Sequence, residues 1–143
     1  MSANQATAAA QRIFLLLHRS FTQFLLHDAW PTFDVQGDAM LELAREQRRD
    51  ADRLGEALVR AVGSVYVGQY PIQYGDLHFL NASRILVDWL AAERELVSRL
   101  EKEAAALAGS TDLLAQAARE TVENEKGRLA RLEAIAADLH VAV

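Results

Sequence analysis

Both prolines of this chain, Pro31 and Pro71, fall between long stretches whose apolar residues recur every three to four positions. Proline inside a helix removes an N–H donor and clashes with the preceding turn, so this placement leaves the periodic stretches free to run as unbroken helices. Four are predicted, over about residues 5–28, 38–62, 81–107 and 111–140, and 143 residues suit a single domain over 1–143 built round one core. The fold class is all-α. In the first predicted helix Ala10, Ile13, Leu17, Phe21, Phe24 and Asp28 share a stripe, while Leu15, Leu16, Leu25 and Leu26 lie off it. A helix apolar over so much of its circumference is either central or covered by a second copy, and a homodimer through this helix is the expectation. Asp38 is the N-cap candidate of the second helix and Gly63 its C′ residue; Ser110 or Thr111 caps the fourth after the turn at Gly109.

Connection lengths set the topology. The short links at 30–37 and 109–111 suit antiparallel neighbours. Between the second and third helices lies a crossover at 64–78, SVYVGQYPIQYGDLH, which holds all three tyrosines and Pro71. A helix of ~25 residues is about 38 Å long, and ~15 extended residues span roughly 50 Å. The crossover therefore has the reach to travel the length of the molecule and set the second and third helices parallel. Its tyrosines and valines are also compatible with a short hairpin. Four helices with one long crossover is the arrangement of ferritin-like bundles rather than of simple up-down ones.

Composition removes several function classes. The chain has no cysteine, which excludes disulfides, thiolate metal sites and thiol nucleophiles. A net charge of −5 argues against nucleic-acid and anionic-membrane partners, both of which need a basic face. The longest aliphatic run, Ile13 to Leu17, is far too short to cross a membrane, and no basic stretch of a leader precedes it, so a cytoplasmic protein is expected. No Gly-rich phosphate loop or nucleophile elbow is present.

The informative residues are polar ones that interrupt the inward stripes: Gln47 and Asp50 on the second helix, Glu93 on the third, and Glu125 with Arg128 on the fourth. A buried carboxylate costs several kcal/mol unless it is paired or bound to a metal, so carboxylates at one level of a bundle need a partner. Three readings are open. The charges flank the core at its edge; or Asp50, Glu93 and Glu125 hold a metal; or Arg128 neutralises the carboxylates in a buried cluster that Gln47 closes. In the last, one carboxylate in excess of the cations keeps a proton.

These segments resemble the ferritin-like superfamily, in particular its bacterioferritin and rubrerythrin types. The stretch from Asp50 to Leu58 looks like the family's second-helix segment that opens on a ligand His, and Gln23 to His27 is similar to its first helix. Leu90-Ala91-Ala92-Glu93 looks like the third-helix ligand segment, and Glu125-Lys126-Gly127-Arg128-Leu129 resembles the fourth-helix Glu-x-x-His-Leu. The resemblance implies a carboxylate-bridged pair of metals at mid-bundle. Carried over position by position, it puts Leu17 where the first helix would give Glu, Gln47 and Asp50 for the Glu and His of the second, and Arg128 for the His of the fourth. Glu93 and Glu125 are retained. The implied site is degenerate, and the expected function is that of a non-catalytic structural or interaction protein without a cofactor. The alternative is an iron or manganese protein with a carboxylate-only site at Asp50, Glu93 and Glu125.

The remaining candidates have plainer readings. His18 and His27 are nine residues apart and do not share a face, His78 suits the start of the third helix, and His140 suits a helix C-terminus. Tyr66, Tyr70 and Tyr74 suit a crossover laid over helices with its hydroxyls wet. Arg45, Arg48, Arg49, Arg53 and Arg60 alternate with Glu42, Glu46, Asp52 and Glu56, the pattern of a solvated, salt-bridged face.

Overall fold

One of the predicted helices is two. In the computed structural model, which describes residues 3–68 and 81–140, the helices are α1 (Ala3–His18), α2 (Phe21–Asp28), α3 (Gly37–Val62), α4 (Ala82–Ala105) and α5 (Leu113–Asp138). The described residues hold no strand, and the chain is all-α. The expected unbroken helix over 5–28 is interrupted at Arg19 and Ser20. Ser20 leaves helical geometry (φ −68°, ψ 159°) and its hydroxyl accepts the backbone N–H of Gln23 at 3.3 Å, an N-cap that starts α2 afresh. No proline or glycine marks this break.

Other ends differ by a residue or two. α3 starts after Gln36, which sits in the left-handed region (φ 60°), so Asp38 lies within the first turn, where a carboxylate favours the helix dipole, and is not the cap. Its C-terminal end falls where Gly63 (φ 87°) permits the left-handed closure. Asn81 caps α4 by accepting the N–H of Arg84 at 2.9 Å, and α4 closes at Ala105. Asp112, not Ser110 or Thr111, caps α5: its carboxylate accepts Leu114 N–H at 2.7 Å, while Ser110 Oγ is used up within the turn on Asp112 N–H. Of the predicted crossover, residues 64–68 are irregular; Tyr70, Pro71, Tyr74 and His78, and with them the hairpin alternative, lie outside the described residues.

The core is in two parts, and their membership gives the helix directions. One cluster joins α1 (Ala6 to Leu17) to the later halves of α3 (Ala51, Leu54, Leu58) and α4 (Leu96, Leu100) and to the start of α5 (Leu114 to Val122). The other joins α2 (Phe21, Phe24, Leu25) to the beginnings of α3 (Met40, Leu43) and α4 (Ile85 to Leu90) and to the end of α5 (Leu132, Ile135, Ala136). Hence α3 and α4 run the same way, and the α1–α2 rod and α5 run the other. α1 contacts α3, α4 and α5, whereas α3 and α4 share no comparable face and stand diagonally opposed. Most of the apolar face of α1 is taken up inside the chain, while Leu15 and Leu16 stay partly exposed. Close approach on one side depends on Gly55, where a Cβ would come within 2.9 Å of the Phe14 ring. Trp30 and Phe33, from the link between α2 and α3, close the second cluster; the Trp30 ring meets Trp89 edge-on at 5.8 Å.

Candidate functional site

Between the two apolar clusters lies a layer of polar side chains drawn from every rod. Gln47, Asp50, Glu93, Glu125 and Arg128 all belong to it and all are buried, Glu93 at 4% and Arg128 at 6% exposure. Ser20, Thr22 and Gln23 join them from the α1–α2 junction.

Arg128 is the cation of the layer. Its Nη1 is 2.7 Å from Asp50 Oδ2, and its Nη2 and Nε donate to Glu125 Oε1 at 2.9 and 3.2 Å. One guanidinium therefore bridges α5 to α3 while gripping the carboxylate one turn before it, a use of the planar fork that lysine cannot copy. Asp50 has two more donors: Asn124 Nδ2 at 3.2 Å, and the guanidinium of Arg53, which reaches in from the surface. Gln47 uses all its hydrogen-bonding capacity. Its Oε1 accepts from Ser20 Oγ (2.8 Å) and Gln23 Nε2 (2.9 Å), and its Nε2 donates to Glu93 Oε1 (3.1 Å) and Glu125 Oε2 (3.0 Å). Gln23 Nε2 also donates to the Ala44 carbonyl at 3.0 Å, tying α2 to α3. Thr22 stands in a short chain, accepting from Trp89 Nε1 and donating to Glu93 Oε1, both at 2.7 Å.

Glu93 is the carboxyl that no cation reaches. Burial, then the neighbouring charge of Glu125 and a hydrogen bond with that group, push its pKa well above the ordinary 4.5, against the opposing donors Thr22 and Gln47. Its Oε2 is buried with no hydrogen-bond partner among the described residues. With Glu93 neutral, the charges of Asp50, Glu125, Arg53 and Arg128 sum to zero. The layer is electrically balanced as long as Glu93 keeps its proton.

Of the residues picked from sequence, the structure unites Gln47, Asp50, Glu125 and Arg128 directly and brings Glu93 in through Gln47 and Glu125. Arg128 does not bond Glu93. Leu17, at the position where the resemblance implies a Glu, is buried in the first apolar cluster. Ser20, Thr22, Gln23 and Asn124 were not picked. The signal for the first three was present: Ser20-Phe21-Thr22-Gln23 has the Ser-x-x-Gln spacing of a helix start, which places a polar turn in mid-rod.

Iron or manganese at Asp50, Glu93 and Glu125 does not fit these side chains. The guanidinium lies where a cation would bridge Asp50 and Glu125, and Gln47 turns its NH2 toward both glutamates. The cavity that Thr22, Glu93, Glu125 and Arg128 share is about 10 Å³, the least that admits one water. Among the described residues no imidazole enters the layer, and no three His, Asp or Glu side chains converge to hold an ion. His18 lies outside it, stacked on Phe14 with ring centroids 5.2 Å apart, its pKa lowered by burial and then by Arg48. Two basic residues of α3 are paired on a solvated face, Arg48 with Asp52 and Arg49 with Glu42, and Glu46 of the same helix pairs with Arg131 of α5. Among the described residues no helix is long and apolar enough to cross a membrane.

Compared with protein-family models, curated proteins and solved structures, the chain matches none.

Proposed function

We propose that this chain is a ferritin-like four-helix bundle, with α1 and α2 together as its first rod, which works in the cytoplasm as a non-catalytic structural or interaction protein. The observation that carries this reading is the guanidinium of Arg128 seated between Asp50 and Glu125, at the level where the resemblance implies metals. A permanent organic cation there does the charge neutralisation that metals would do, and it supplies neither an open coordination position nor a redox couple. The common direction of α3 and α4 supports the bundle assignment, since helices joined in that sense need a connection along their whole length.

Metal analysis of the purified protein, followed by ferrous-iron titration under oxygen, tests the reading. Iron and manganese are expected well below stoichiometric after dialysis, with no iron oxidation above the buffer rate. Retention of more than half an equivalent, lost in Glu125→Gln, would establish the carboxylate-site alternative instead.

A further inference from the structure

The break between α1 and α2 has a second effect, on the face of the rod that meets α4. A cleft of about 440 Å³ opens there, walled by Leu15, Leu16, Phe21 and Leu96, with the small side chain of Ala92 between. That volume is in the range of small-molecule sites, and so is the pattern of an apolar wall carrying a few convergent polar groups. Two of those groups are Arg19 and Arg99. Other arginines of the same helices are spoken for, Arg12 by Glu103, Arg84 by Asp88 and Arg94 by Glu133. Among the described residues Arg19 and Arg99 have no ion-pair partner. Arg19 also lies close over Gly68, where a Cβ would sit 2.8 Å from its Cδ.

We infer that this cleft binds a small amphipathic carboxylate, its apolar tail among Leu15, Leu16, Phe21 and Leu96 and its head group held by Arg19 and Arg99. The charge count selects a monoanion. Glu95 at the cleft offsets one guanidinium, and burial raises the pKa of Glu93 in its wall, so one added negative charge suits the pair of arginines. A phosphate monoester, with nearly two charges at neutral pH, overshoots that balance. The surrounding protein is acidic, so the preference is local to the two arginines. The cleft shares Ser20 and Glu93 with the polar layer, but Arg19 and Arg99 take no part in the pairing around Arg128.

Titration calorimetry of the full chain with acetate, octanoate, decanoate and 1-decanol tests it. Octanoate and decanoate are expected to bind, with the dissociation constant tightening about fourfold per added methylene. Acetate is expected not to bind, and decanol to bind at least tenfold more weakly than decanoate. Arg99→Gln should weaken decanoate at least tenfold and Ala92→Phe, which fills the cleft, should abolish binding, both with unchanged circular dichroism. Equal binding of decanol and decanoate, unchanged affinity in the variants, or association only with anionic phospholipid vesicles overturns the inference. Should Ala92→Phe fail to fold, Arg99→Gln at its exposed position decides alone.

Discussion

At the scale of residues, Arg128 and Glu93 make opposite contributions. Arg128 faces two buried carboxylates, so truncating it leaves Glu125 charged, desolvated and unpaired, while Asp50 keeps Arg53. Arg128→Leu is expected to destabilise the fold by about 3–5 kcal/mol in urea unfolding, and Arg128→Leu with Glu125→Leu to recover much of that loss. If the single variant melts like the parent, the guanidinium is not what holds the layer. Glu93 is different, since its folded pKa lies above its unfolded one. Between the two values the folded chain keeps a proton that the unfolded chain has released, so stability is greatest below the unfolded value and falls as pH rises toward the folded one. Glu93→Gln presents a permanent donor to Glu125 and an acceptor to Thr22. Compared with the parent, the variant should show a flatter stability profile as pH rises above the ordinary carboxyl value of 4.5, and equal or higher stability at the alkaline end. A parallel pair of profiles would mean that Glu93 is already ionised. Such interior residues were legible in sequence because a charge on an apolar stripe is conspicuous; their pairing was not, since spacing along one helix says nothing of which neighbour stands across from it.

At the scale of elements, the instructive case is the first rod. Its periodicity runs through residues 5–28 without interruption, and periodicity alone continues a helix wherever the apolar stripe continues. The backbone instead follows Ser20, whose hydroxyl caps Gln23 and at the same time donates to Gln47. A local cap and a long-range hydrogen bond cooperate at one atom, and only the first of these has a sequence signature. Ser20→Ala should therefore cost more than the ~1 kcal/mol of an ordinary cap, because it also leaves a lone pair of buried Gln47 short of a donor. Thermal unfolding of Ser20→Ala beside Asn81→Ala, a cap with no such second partner among the described residues, measures the difference; equal losses would reduce Ser20 to a cap. The other helix ends were readable to within a residue or two, because glycine in the left-handed region at Gly63 and side-chain caps at Asn81 and Asp112 are local chemistry.

On the scale of the whole molecule, the all-helical class was in the pattern of prolines and apolar repeats, and the shared direction of α3 and α4 was in the length of the segment between them. The homodimer expected through the first rod concerns the face that the chain's own helices leave uncovered. Ala6, Ala9, Ala10, Ile13, Phe14 and Leu17 are buried within the chain, and Leu15 and Leu16 are partly covered. Light scattering after size exclusion at micromolar concentration tests the homodimer proposed through this rod: a dimer that Leu16→Glu dissociates is the expected outcome, and the 15.8 kDa monomer alone would overturn it. Surface pairs such as Arg131 with Glu46 and Arg94 with Glu133 link neighbouring rods, each with a small contribution, and leave the energetics to the interior.

Oil-like contacts by themselves tolerate sliding, since one leucine fits a greasy slot about as well as the next. A plane of matched charges across the middle does not: shift any rod by one turn and a bare ion faces hydrocarbon. The stripe of ions thus acts as a notch in a key, fixing the vertical alignment of the rods and penalising every competing alignment far more than it rewards the correct one.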